Sequence, residues 1–170
     1  MSAGTAMGIS TTLISTDQQA PMGFIHTTPA GTDGTGAKQW IYTSITAATT
    51  AGGLPLGTAV VKPAAGGYNN ASLAALGDLP GAVIGVSQAL WDYAAFTPAA
   101  TQLYGFVLRS GAGEALDGGG MVTGVGTGLI PTAAGELTAA AGVTDTIVGM
   151  VTAVAPGIGG LMGVWLDCRG

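Results

Sequence analysis

The residues that could carry catalysis are few, and their spacing does not fit a known catalytic arrangement. The best match to a nucleophile motif is GVSQA at residues 85–89, which departs from the G-x-S-x-G turn of hydrolases at Ala89. That arrangement needs a histidine after the serine in chain order, whereas the only histidine, His26, lies far upstream. Because a serine without a base is a poor nucleophile, we predict that Ser87 is not catalytic.

Metal and phosphate sites are also disfavoured by residue type and spacing. In GTDGTGAK, residues 31–38, Ala37 separates the second glycine from the lysine, which a phosphate-binding loop does not allow. Asp33 supplies a single carboxylate, which is fewer than a calcium site needs. One histidine and one cysteine cannot complete a four-ligand zinc shell by themselves. The sequence predicts no enzyme and no cofactor, and we expect the lone Cys168 to be an inert strand residue.

Composition points instead to contacts with other protein. The chain has 170 residues, of which 48% are hydrophobic and only 8% are charged, against roughly 25% charged in ordinary soluble domains. A monomer with so little charge covers its surface poorly, so we expect an oligomer or a larger assembly. The four basic residues are scattered along a chain with net charge -5, which argues against nucleic-acid binding.

No segment is predicted to lie in a membrane, and the first eight residues lack the features of a signal peptide. Residues Ile147 to Leu166 carry no charge over twenty positions, but Pro156 and five glycines interrupt them. This composition favours a β-hairpin with a tight turn over a transmembrane helix.

A repeated strand pair is the main architectural signal. VIGVSQAL, ending at Leu90, and LYGFVLRS from Leu103 match IVGMVTAV and LMGVWLDC, with Gly85 aligned to Gly149 and Gly105 to Gly163. Each pair has the length and period of a hairpin with a glycine in each strand. Odd and even positions of the second hairpin are apolar alike, which predicts burial on both faces and hence contact with another subunit.

The remaining elements are short and bounded by turns. We predict strands in WIYTSIT (residues 40–46) and GTAVVKP (57–63), a single helical turn from Ser72 to Leu76, and short strands around turns at 126–128 and 134–136. The total is eight to ten strands. The fold class is therefore mainly β, a small β-barrel or sandwich with an internal hairpin repeat, formed by residues 39–170.

Residues 1–38 are predicted to form an extended N-terminal arm. They are too sparsely apolar for a core and too apolar for a solvated tail, so we expect the arm to become ordered on a partner. A linker or a pair of edge strands is the alternative. The candidate contact residues of the arm are Ile9, Leu13, Ile14, Phe24 and Ile25.

The first repeat contains an aromatic insertion, WDYAAFTPAATQ, where the second repeat has only the turn APGIGG. Insertions at hairpin tips often carry contact surfaces, so Trp91, Tyr93 and Phe96 are candidate interface residues. The alternative is that these rings fold back over an open end of the barrel.

The segment from about Glu114 to Asp167 resembles the head decoration, or capsid cement, proteins of tailed bacteriophages. The resemblance is carried by LIPTAAGELTAA, by TDT before a strand of the type IVGMV, and by the closing strand LMGVWL. It implies a β-rich homotrimer on the outer surface of the virion, bound to the major capsid protein at threefold and quasi-threefold axes through an N-terminal arm. Two alternatives are another virion component, such as a tail-tube, head-fibre or shell protein, and a carbohydrate-binding host-attachment module that uses the insertion's aromatic rings.

Overall fold

The computed structural model describes residues 5–6, 8–32, 35–63, 67–74, 82–119, 124–140, 148–153 and 157–168. The fold is mainly β, with a strongly curled antiparallel sheet that forms a half-barrel, which confirms the predicted fold class. The strands are β1 (Thr5–Ala6), β2 (Ile9–Ser10), β3 (Ile25–Thr28), β4 (Lys38–Thr46), β5 (Ala59–Val61), β6 (Ser72–Leu73), β7 (Val83–Ser87), β8 (Gln102–Leu116), β9 (Gly128–Pro131), β10 (Leu137–Ala139), β11 (Gly149–Ala153) and β12 (Leu161–Asp167). Single 3₁₀ turns lie at Tyr93–Ala95 and Ala133–Gly135.

The long strand β8 is central to a ten-stranded sheet, in which eight strands follow the order β10-β9-β11-β12-β8-β7-β5-β6 and β4 and β3 lie off this path. The first part of β8 pairs with β4, which in turn pairs with β3, and the last part of β8 pairs with β12 from Ser110 to Leu116. Strands β1 and β2 form a separate two-stranded sheet. Because β8 links both halves, the two hairpin repeats belong to one continuous sheet.

The two ends of the curled sheet meet at the turn between β9 and β10. Gly135 N donates a hydrogen bond to Ala74 O, which follows β6, at 2.8 Å. Gly135 has a φ of +79°, and a Cβ built on it would lie 2.8 Å from Ala59 O. Only glycine fits both the conformation and the space, so this turn can dock on the far end of the sheet.

Two apolar clusters lie on opposite sides of the first half of the sheet. Along β4, Trp40 and Tyr42 belong to one cluster, while Ile41 and Ile45 belong to the other. Strand β8 divides in the same way, with Phe106 and Leu108 in the first cluster and Leu103 and Val107 in the second. These strands are therefore buried on both faces, since alternate residues of a strand face opposite sides.

The second half of the sheet is buried on one face only. In β12, Met162, Val164 and Leu166 are buried in the first cluster, whereas Trp165 between them is exposed. Within this chain the second hairpin is thus buried on one face, and burial of its outer face by another subunit stays a prediction. The reason is that the aromatic insertion and neighbouring loops cover the first half of the sheet, while the corresponding turn of the second hairpin is short.

Local predictions succeeded for the hairpins and failed for the helical turn. WIYTSIT lies in β4, and β11 pairs antiparallel with β12, which confirms a hairpin within residues 147–166. Ser72 starts strand β6 instead of a helical turn, because Ser72 and Leu73 pair with the free edge of β5. Leu76 lies outside the described residues.

The aligned glycines of the two hairpins have the same role in the first strand and different roles in the second strand. A Cβ on Gly85 would lie 2.7 Å from Leu108 O, and one on the aligned Gly149 would lie 2.6 Å from Trp165 O. Both glycines thus let neighbouring backbones approach closely. Gly105 makes room for the side chains of Ile14 and Trp91, whereas its counterpart in the second hairpin contacts only the adjoining strand.

Candidate interaction surface

The aromatic insertion folds back onto the sheet. Trp91 is fully buried, and its backbone N–H and C=O each hydrogen-bond to Leu54 at 2.9 Å. A Cβ built on Gly105 would lie 3.0 Å from Cζ2 of the Trp91 ring, so the missing side chain makes space for the indole. Tyr93 is also buried, with its hydroxyl 2.9 Å from Thr50 Oγ1. Trp91 and Tyr93 therefore offer no ring face to a partner, and of the three aromatics only the half-buried Phe96 reaches the surface.

The burial of the insertion raises the pKa of the Tyr93 hydroxyl. Desolvation raises the pKa of Tyr93 above its usual value, and the hydrogen bond with Thr50 partly opposes this shift. The hydroxyl stays protonated at neutral pH and serves to anchor the loop.

Most of the described arm lies on the chain's own sheet. Phe24 packs edge-on against Phe106, with ring centroids 6.5 Å apart, and its carbonyl accepts a hydrogen bond from Tyr42 N at 2.9 Å. Ile14 contacts Gly105, and Ile9 packs against the first cluster. The segment is extended, but its order comes from its own body and not only from a partner, because β3 is hydrogen-bonded to β4.

Two of the five candidate arm residues point outwards. Leu13 is 47% exposed and Ile25 is 43% exposed. Between them, Ser15 holds the segment to β8 through paired backbone hydrogen bonds with Tyr104 at 3.0 and 2.8 Å. The structure therefore divides the candidates into inward residues (Ile9, Ile14, Phe24) and outward residues (Leu13, Ile25).

An open apolar surface, here called the Trp165 face, occupies the outer side of β9, β11, β12 and β8. Trp165 and Met150 are cross-strand neighbours, 40% and 45% exposed. Small residues flank them in register, Gly128 beside Met150 and Ala112 beside Trp165. We did not select Trp165 and Met150 from the sequence, although the apolar residues at both odd and even positions of this hairpin were the signal that pointed to them.

The residues that resembled chemical motifs have structural roles where the structure describes them. Ser87 is buried, and its hydroxyl donates to Pro55 O at 2.6 Å and accepts from Thr58 N at 3.2 Å. Among the described residues, no three His, Cys, Asp or Glu side chains come close enough to hold a metal ion. Asp33 lies outside the described residues.

Cys168 is buried beside the C-terminal end of β12. Its backbone N–H donates to Arg109 O at 3.0 Å, and its thiol lies 3.8 Å from Val148 O. Burial, with the negative charge of Asp167, raises the pKa of the thiol to about 12, although Arg109 opposes the shift. The thiolate form is disfavoured at neutral pH, so the side chain behaves as a small apolar residue.

No protein-family model, no curated protein and no solved structure matches this chain. In the part of the chain that the structure describes, no helix is long and apolar enough to cross a membrane. The surfaces themselves must therefore support any functional argument.

Proposed function

We propose that this chain is a decoration protein of a tailed-bacteriophage capsid, which binds the outer surface of the virion as a homotrimer. The observation that carries the proposal is the Trp165 face, which is apolar and open while the first half of the same sheet is covered by the chain's own loops. An exposed tryptophan and methionine surrounded by small residues are typical of a surface that meets protein.

Different surfaces suit the two contacts that a decoration protein makes. We assign the Trp165 face to contact between copies, since interfaces within stable oligomers are the more apolar kind. We assign the contact with the major capsid protein to the exposed side chains of Leu13 and Ile25. Ile9, Ile14 and Phe24 then act as anchors that hold the capsid-binding segment on its own sheet.

The composition fits a role in adding contact area to a shell. A specific interface buries roughly 1,200–2,000 Å² in total. Because only 8% of the residues are charged, much of the surface of this chain can be buried against protein without removing charges from water. Many copies joined through a lattice bind more strongly than one copy alone. A protein that binds only the expanded shell stabilises that shell by mass action.

Capsid binding can be tested by co-sedimentation with expanded capsids that lack this protein. Wild-type protein should pellet with the capsids, and the double variant Leu13→Ser/Ile25→Ser should lose at least about tenfold in affinity if each side chain contributes about 1 kcal/mol. Leu90→Ser is the matched control, because Leu90 is 64% exposed on a different loop. Wild-type protein that stays in the supernatant would contradict the proposal.

Another virion component is the second candidate, because the open Trp165 face would serve a tail-tube, head-fibre or shell protein equally well. Light scattering distinguishes them in part, since a shell-forming protein assembles alone into large particles and a decoration protein remains a small oligomer. A density map of the native particle would then locate the chain inside the tail or on the head.

A further inference from the structure

An open pocket lies at the tip of the aromatic insertion, and its shape is fixed without any ligand. Buried Trp91 and the Tyr93–Thr50 hydrogen bond anchor the start of the loop. Asp92 Oδ1 accepts a hydrogen bond from Ala94 N at 2.8 Å, and Ala100 N donates to Tyr93 O at 3.1 Å. A loop held in this way loses little conformational freedom when a ligand binds.

The pocket, here called the Phe96 pocket, has a volume of about 480 Å³. It is lined by residues 96–102 together with Thr16 from the N-terminal segment. Small-molecule sites fall in the range of roughly 300–1,000 Å³, so the space accommodates one or two sugar rings. The insertion that forms most of it has no counterpart in the second hairpin repeat.

The chemistry of the lining is polar but uncharged. The side chains of Thr16, Thr97 and Thr101 offer hydroxyl groups, which both donate and accept hydrogen bonds. All three residues are exposed, and within the described part of the chain their hydroxyls make no hydrogen bond to protein. Gln102 adds a carboxamide whose Nε2 is 3.3 Å from Ser44 Oγ, which orients the group.

Phe96 supplies an apolar ring beside these polar groups. An ionic ligand would find no opposite charge among the lining side chains, and a wholly apolar ligand would leave the hydroxyl groups without partners. A sugar ring has hydroxyls at its edge and C–H groups on its face, and so matches both parts of the lining.

From this arrangement we infer that the Phe96 pocket binds the ring of a neutral sugar. Trp165, Leu13 and Ile25 do not line this pocket, so the sugar site can be tested independently of capsid decoration. It differs from the stacking site that is an alternative in the sequence analysis, because Trp91 and Tyr93 are buried beneath the loop and Phe96 alone of the three aromatic residues lines the pocket.

The inference is tested with the full-length protein on an array of neutral glycans, followed by NMR titration with the glycan that binds best. Phe96→Ala and Gln102→Ala should each weaken binding about tenfold, the effect of losing one well-placed contact. Thr97→Val and Thr101→Val remove exposed hydroxyls with little change of shape, and should each weaken binding several-fold without altering the fold. Leu90→Ala, directly before the insertion and outside the pocket, should bind as the wild type does.

Two results would overturn the inference: no neutral glycan bound by the wild-type protein, or binding that Phe96→Ala and the two valine variants leave unchanged. Co-sedimentation of the same variants with expanded capsids tests capsid binding separately from sugar binding. The pocket variants should pellet with capsids as the wild type does, and the absence of glycan binding would not contradict capsid binding.

Discussion

Two tryptophans of this chain lie in opposite environments, which decides what each can do. Trp91 is fully buried over Gly105 and closes the second cluster, whereas Trp165 is 40% exposed on the outer side of β12. A buried ring contributes to folding, and an exposed ring on an open sheet face is available for binding. The residue type alone does not separate the two roles: Trp91 opens the aromatic insertion after β7, whereas Trp165 lies within β12.

Replacing each tryptophan by alanine should therefore have different effects on stability. We expect Trp91→Ala to lower the free energy of unfolding by about 3–5 kcal/mol, because it leaves a cavity in the core. Trp165→Ala should cost about 1 kcal/mol or less, the value of a cross-strand contact at the surface. Urea unfolding of the two variants beside the wild type measures both, and equal losses would show that Trp91 is not the buried anchor described here.

At the scale of elements, the hairpins depend on glycines that allow neighbouring backbones to approach. Gly85 lies in β7, and any side chain there would meet Leu108 O at 2.7 Å. The obstructing atom belongs to the backbone of β8, which is paired on several sides and cannot move freely. Gly52, by contrast, lies in a turn with no atom within 4 Å of a built Cβ.

The pair Gly85→Ala and Gly52→Ala tests this close approach. Gly85→Ala should destabilise the fold by about 1–3 kcal/mol, the usual cost of overpacking. Gly52→Ala should be neutral or should stabilise by up to about 1 kcal/mol, because it restricts the unfolded chain. Thermal unfolding followed by circular dichroism gives the comparison, and a neutral Gly85→Ala would contradict the observed strand spacing.

Sequence reasoning found the elements whose signal is local and missed those decided by neighbours. The alternation in WIYTSIT and the glycine-marked second hairpin are properties of short segments, and both appear as strands. Ser72 lies in a strand because the edge of β5 is free to pair with it, which no local pattern reveals.

Deleting residues 1–36, the obvious test of a detachable arm, would also remove β3 and Phe24 from the body, so point substitutions at Leu13 and Ile25 are the better probe.

At the scale of the whole molecule, the half-barrel has one side closed and one side open. The aromatic insertion and the N-terminal segment cover the first half of the sheet, while Trp165 and Met150 stay partly exposed on the other half, where Gly36 lies close to the edge of the Trp165 ring. Under the proposed function, a partner would cover in the second half what the chain's own loops cover in the first. This asymmetry also places the Phe96 pocket away from the Trp165 face, since each lies on a different half of the sheet.

The open side leads to a prediction about self-association. If the Trp165 face joins copies of the chain, the wild-type protein should be a small oligomer, and Met150→Ser/Trp165→Ser should shift it towards the monomer. The physical reason is that two large apolar side chains are exchanged for hydroxyls at the centre of the contact, where most binding energy concentrates. Light scattering after size-exclusion chromatography measures the mass, and circular dichroism confirms that the variant is folded. Leu90→Ser, which removes an even more exposed apolar side chain outside the Trp165 face, should leave the mass unchanged. A monomeric wild type, or an oligomer that the double variant leaves intact, would show that the Trp165 face does not join copies of this chain.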